Sequence, residues 1–201
     1  MGWPSRLTYQ QVAATGIARS LAVLVSYGDL DTAKAMLSTD PSLADNPDAL
    51  AAAARSGHES IVRLMLQHRP RVVERLAVVA KSRELTELLF QRGMNPNLAG
   101  WLGVTPLHRF ARDGDVESAA IFLDHGANLE ARDEEFCTTP LGYAAAAGKR
   151  RMVEFLLERG AAVTLPNGPA WATPLALATH RGHSALVRLL KAQAGAAGSP
   201  S

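Results

Sequence analysis

Apolar residues recur along this chain in short bursts at helical spacing, separated by polar, glycine-containing breaks. After Val104, Leu107, Phe110 and Ala111 fall on one helix face, and beyond a break at Gly114 the residues Ala120, Ile121 and Leu123 form a second apolar set. The layout returns twice. Thr105-Pro106 reappears as Thr139-Pro140 and Thr173-Pro174, 34 residues apart each time, with Gly114, Gly148 and Gly182 nine residues after each Thr. Ile121-Phe122-Leu123, Phe155-Leu156-Leu157 and Leu189-Leu190 follow at matching offsets. A fixed period of this size predicts a helical solenoid, in which each unit is one helix pair.

Each part of the unit has a physical reason. Thr105 can cap a first helix, and Pro106 at its first position loses no hydrogen bond. Gly114 permits the positive φ that ends a short helix and reverses the chain. Asp115 and Glu117 place negative charge at the start of the second helix, where the dipole favours it. Gly126 then terminates that helix. A unit this small cannot cover its own apolar face, so neighbours must stack.

The pattern is regular late in the chain and irregular early. Six units are expected, over about 19–47, 48–71, 72–104, 105–138, 139–172 and 173–193, between an N-terminal capping segment at 1–18 and a flexible tail at 194–201. In the first, Leu21 to Val25 and Leu30 to Leu37 predict a helix pair around Gly28, and Asp40-Pro41 breaks the second helix. The second lacks Thr-Pro and has Asp48 as its expected cap. The third is the most degenerate. It starts near Val72, only 24 residues after Asp48, so Arg69-Pro70-Arg71 must join the two by a tight turn, and Lys81 stands where the others have Gly. In the last helix Lys191 occupies a place that earlier units give to Leu or Phe, as a solvent-facing end requires.

At Thr105-Pro106-Leu107-His108, with Gly126-Ala127-Asn128 closing the unit, the sequence resembles an ankyrin repeat, and the resemblance covers nearly the whole chain. It implies an all-α fold: an α-solenoid of stacked helix-turn-helix repeats with short β-hairpin loops. By the ankyrin period of about 33 residues the third unit is short by about nine. The resemblance further implies a non-catalytic protein–protein interaction module, a scaffold or adaptor. Such a module binds a protein partner on its concave groove and hairpin tips and needs no cofactor.

Composition adds bounds. With 47% hydrophobic and 20% charged residues, the 201-residue chain suits one folded unit. Twenty-one basic against 19 acidic residues leave a net charge of +2, too balanced to predict nucleic-acid binding by bulk electrostatics. No apolar run approaches a membrane span, and Met1 to Arg6 shows no secretory pattern. Arg6 stands where a myristoylation signal needs Ser or Thr. A single cysteine, Cys137, precludes an intramolecular disulfide framework and fits a reducing compartment. The expectation is a cytoplasmic monomer with no nucleic-acid or membrane partner.

Chemistry has few candidates. His108 could act catalytically, but at this position the resemblance implies a histidine bonding within and between repeats, and Gly142 and Ala176 replace it in the next two units. Cys137 with His108 could be posed as a thiol dyad, yet Cys137 lies on a loop where the previous unit has Gly103. His180 and His183 form an H-x-x-H, short of the three or four ligands zinc needs. An enzyme or ligand-binding protein using His108, Cys137 or His180 is therefore the alternative reading.

The resemblance points instead to the hairpin tips and to the two residues before each inter-helix Gly. These are Trp101 and Leu102, Glu135 and Phe136, and Trp171 at the tips, with Arg112 and Asp113, and His180 and Arg181, before the glycines. Three bulky aromatics from a stock of eleven thus end three successive loops. They are either interface anchors or props that stiffen the row.

Overall fold

The computed structural model describes residues 21–68 and 71–197. The predicted capping segment at 1–18 and Arg69-Pro70 lie outside the described residues. The chain divides into two compact parts, residues 1–95 and 96–201.

In the first part, α1 (Leu21–Ser26) and α2 (Leu30–Thr39) are joined at Gly28, which takes a left-handed φ of 78°. Asp29 caps α2, its carboxylate accepting from Thr32 N at 3.1 Å and from the Thr32 hydroxyl at 2.8 Å. The chain breaks at Asp40-Pro41 into a 3-10 turn, as the sequence predicts. Next come α3 (Pro47–Ser56) and α4 (Glu59–Gln67), reversed at Gly57. Asp48 is not the cap of α3. Asn46 is, its side-chain oxygen accepting from Ala49 N at 3.0 Å with Pro47 at the first helical position. Asn46-Pro47 is therefore the local form of Thr-Pro, two residues earlier than expected. Met36, Leu37, Leu50, Ile61, Val62 and Met65 are buried at the core of this part.

The short third unit loses its first helix. A 3-10 turn, Arg71–Arg75, leads into an irregular stretch before α5 (Arg83–Gln91). In that stretch Leu76, Val78 and Ala80 are buried and Ala77 and Val79 less so, the period-two pattern of extended chain. Its backbone is satisfied locally: Ala80 N donates to Thr86 Oγ1 at 3.0 Å and Lys81 N to Ala54 O at 2.9 Å. No helix runs into Lys81, so no left-handed reversal is needed there and a lysine is tolerated. Arg71 N is held by Asp45 at 2.6 Å, which ties the junction back to the preceding unit.

The second part is regular. It contains α6 (Pro106–Asp113) and α7 (Val116–Asp124), α8 (Pro140–Ala146) and α9 (Arg150–Glu158), α10 (Pro174–His180) and α11 (Ser184–Ala197). Leu107, Ala111, Phe122, Leu141, Met152, Leu156 and Leu190 are buried between the helices. The helix α11 runs to Ala197, past the boundary expected at 193, since Ala194 and Ala196-Ala197 suit a helix. Residues 198–201 lie outside the described residues.

Among the described residues no strand forms. The predicted hairpins are reversals closed by single bonds, Gly100 N to Val104 O at 2.9 Å and Asp133 N to Thr138 O at 3.2 Å.

Candidate functional site

The middle loop of the second part is organised by Asp133, a carboxylate only 3% exposed. It accepts from Glu135 N at 3.1 Å, Phe136 N at 2.6 Å and Thr138 N at 3.0 Å. One side chain thus takes the N–H groups that a strand ladder would otherwise satisfy. Asp133 also hydrogen-bonds Tyr143, on the first turn of α8. Burial pushes the Tyr143 phenol up to about 12, and the charge and hydrogen bond of Asp133 add to the shift.

Around this centre the predicted contact residues take definite places. Phe136 is 44% exposed and stands edge-on to Tyr143 with ring centroids 6.3 Å apart. Glu135 is exposed and near enough to act on Tyr143 electrostatically, as does Arg112, which is paired with Asp113 at 3.1 Å. Trp101 is 86% exposed and Trp171 56%. Leu102 is half-buried and left-handed at φ 57°, and its carbonyl accepts from Glu134 N at 2.8 Å, so two successive tips are tied through their backbones. Arg132 reaches Pro166 O at 2.7 Å and ties the middle loop to the next. His180 and Arg181 are exposed at the end of α10.

Sequence reasoning missed Asp133 and Tyr143. The signal for Asp133 was present: an Asp followed at two and three residues by N–H groups in a turn is the ordinary Asx arrangement. Tyr143 carried no comparable signal, because its role depends on which loop lies over it.

The candidates for chemistry are engaged elsewhere. His108 is fully buried; its Nδ1 accepts from Thr105 N at 3.1 Å, so the proton sits on Nε2, 3.3 Å from Thr138 O. Desolvation holds its pKa below the usual histidine value, against the opposing pull of the Thr138 carbonyl and the Asp133 charge. With both nitrogens occupied, His108 is not directed at Cys137, whose thiol lies 3.9 Å from Glu134 O. His183 turns back so that its Nε2 lies 3.1 Å from Ala146 O, leaving His180 by itself at the end of α10.

The link that His108 makes to Thr138 O has a counterpart one unit later. Thr138 Oγ1 donates to Ala172 O at 2.6 Å, and both accepting carbonyls directly precede a Thr-Pro. Gly142 takes the place of His108 there; a Cβ on it would collide with the Thr138 hydroxyl. The layer-to-layer bond is kept while its donor moves from helix to loop. The exchange leaves Thr139 Oγ1 buried without a protein partner.

The family model for ankyrin repeats in three copies matches residues 75–167. This stretch is an array of ankyrin repeats. Two relatives agree in part. Over 116 residues the chain is 33% identical to a glycerophosphocholine phosphodiesterase, gde1, of Schizosaccharomyces pombe, covering 58% of this chain and 10% of that protein. Over 101 residues it is 34% identical to the ankyrin repeat and KH domain-containing protein mask of Drosophila melanogaster, covering 48% of this chain and 2% of that protein. The chain thus spans a small fraction of either relative. Within the ankyrin array, the bond from His108 to Thr138 O is a link between successive repeats. Among the described residues no helix is long and apolar enough to cross a membrane, and no three His, Cys, Asp or Glu side chains gather as a metal-binding group.

Proposed function

We propose that this chain is a non-catalytic scaffold or adaptor that binds a protein partner along its loop tips and the adjoining ends of its first helices. Ankyrin repeats generally mediate protein–protein interaction, and the residues put forward here for contact are Trp101, Leu102, Arg112, Asp113, Glu135, Phe136, Trp171, His180 and Arg181. The observation that supports the reading most is the exposure of Trp101 and Trp171, at 86% and 56%. A prop that stiffens a row buries its ring on its neighbour, whereas these two rings face solvent, where a partner can cover them. Phe136 serves both ends, since it also stands on Tyr143. The chain acts as a monomer in a reducing, cytoplasmic setting, which accords with its single thiol.

The test starts with an affinity pull-down and mass spectrometry to identify the partner. Titration of that partner against Trp101→Ala and Trp171→Ala should show a loss of about 1–3 kcal/mol with Tm nearly unchanged. Unchanged affinity would remove the tips from the interface. A fall in Tm with no effect specific to the partner would assign both rings to the scaffold.

A further inference from the structure

Charge is strongly divided within the second part. Residues 105–138 carry three Arg and eight Asp or Glu, whereas residues 139–197 carry seven Lys or Arg and two Glu. Much of the positive charge lies on one edge, at the turns between paired helices. The His183 ring lies against Gly148, where a Cβ would come within 2.7 Å of it, so the turn at Gly182 is stacked on the turn at Gly148. The Lys149 side chain reaches Gly114 in the same way.

We propose that this edge, formed by Lys149, Arg150, Arg151, His180, Arg181 and His183, takes an acidic segment of a protein partner. The inference rests on the protein-binding reading and gives that partner a chemistry. Arg151 and Arg181 are exposed and make no ion pair or side-chain hydrogen bond among the described residues, whereas Arg150 is engaged by Glu154 at 2.8 Å. Arg151 also stands where the fold has little use for a cation. Helices α2, α4, α5 and α7 each have Asp or Glu in the first turn, as the dipole favours. By contrast α9 has none, starting with Arg150-Arg151 behind a Lys149 whose side chain makes no capping bond. Lys149 covers Gly114 and Arg150 pairs with Glu154, but at Arg151 the rule is broken without such a structural gain, the mark of a residue kept for another purpose.

The extent of the edge selects the occupant. Lys149 marks its limit, because the turn it covers is flanked by Asp113 and Asp115, with Glu117 beyond. A nucleic-acid backbone or an anionic membrane would continue onto those carboxylates, whereas a short run of acidic side chains ends before them. Two stacked turns match such a run.

The full chain is titrated by fluorescence anisotropy, at low and at physiological salt, with a labelled alternating Glu-Gly peptide. The comparison probes are the matching Gln-Gly peptide, a single-stranded oligonucleotide and phosphatidylserine-containing vesicles. The Glu peptide should bind more tightly than any comparison probe, and more weakly as salt rises. The double variant Arg151→Glu with Arg181→Gln should weaken it at least about tenfold. The single variant Arg151→Glu should hold or raise Tm, since it restores an acid to the first turn of α9. The Gln peptide binding equally well would overturn the proposal. So would the oligonucleotide or the vesicles binding as tightly as the Glu peptide, or a loss of Tm in Arg151→Glu. Trp101→Ala and Trp171→Ala should leave Glu-peptide binding unchanged, so failure here and failure of the tip interface are read separately.

Discussion

The turns at Gly57 and Gly148 are covered in the same way from different scaffolds. At Gly148 the covering group is His183, delivered after a full first helix, α10, with its Nε2 3.1 Å from Ala146 O. At Gly57 it is Lys81, delivered by the irregular stretch that replaces a helix, with its backbone N donating to Ala54 O at 2.9 Å. His58 repeats the histidine version over Gly28, its Nε2 2.9 Å from Ser26 O. At these three turns the next layer supplies a side chain over the preceding glycine and one bond to a carbonyl just before it. A first helix is one means of supplying them. The third unit can therefore lose that helix and remain stacked.

The comparison can be broken most severely at Asp133, the organiser of the middle loop. Asp133→Ala strands three backbone N–H groups and the Tyr143 phenol, and should cost about 3 kcal/mol by chemical denaturation. A loss below about 0.5 kcal/mol would show that the loop is held by its neighbours instead.

Next in size is the glycine itself. Gly148 has φ 71°, while Ala147 beside it is right-handed at φ −85°. Gly148→Val should destabilise by about 1–3 kcal/mol more than Ala147→Val. Equal denaturation midpoints would contradict the turn geometry. The complementary change is smaller: Lys81→Gly removes the cover from Gly57 and adds backbone freedom, costing about 0.5–1 kcal/mol. A gain in stability would mean that the third unit needs the glycine after all.

The finest distinction is a slope. His108 is held neutral in the fold, with its pKa depressed. The unfolded chain therefore takes up the proton first as pH falls. The His108 contribution is present above about 6.5, the ordinary histidine value, and declines as pH falls below it. Between pH 7 and 5, His108→Gln should lose stability less steeply than the wild type. Parallel curves for the two would contradict the buried-neutral assignment.

Much of this was legible in the sequence because each rule involved is local. Thr-Pro, the turn glycines and the apolar bursts place α6 to α11 from periodicity alone. The junction was less legible. Asn46-Pro47 performs the Thr-Pro role with a different residue type, and the missing residues were taken from a first helix, not merely from a loop. The site was least legible, because Tyr143 acquires its role only when the Asp133 loop closes over it. The positions of Trp101 and Trp171 followed from the repeat, but their exposure depends on what the neighbouring loops leave uncovered.

Amide hydrogen exchange followed along the intact chain tests the central contrast most directly. Each layer of a stacked array is held by its neighbours, so a thin junction lowers the opening free energy of the part that contains it. Residues 105–190, with complete helix pairs, should exchange slowly and as a group. Residues 21–68, which adjoin the shortened third unit, should exchange measurably faster. Equal protection of the two stretches, or greater protection of 21–68, would contradict the account.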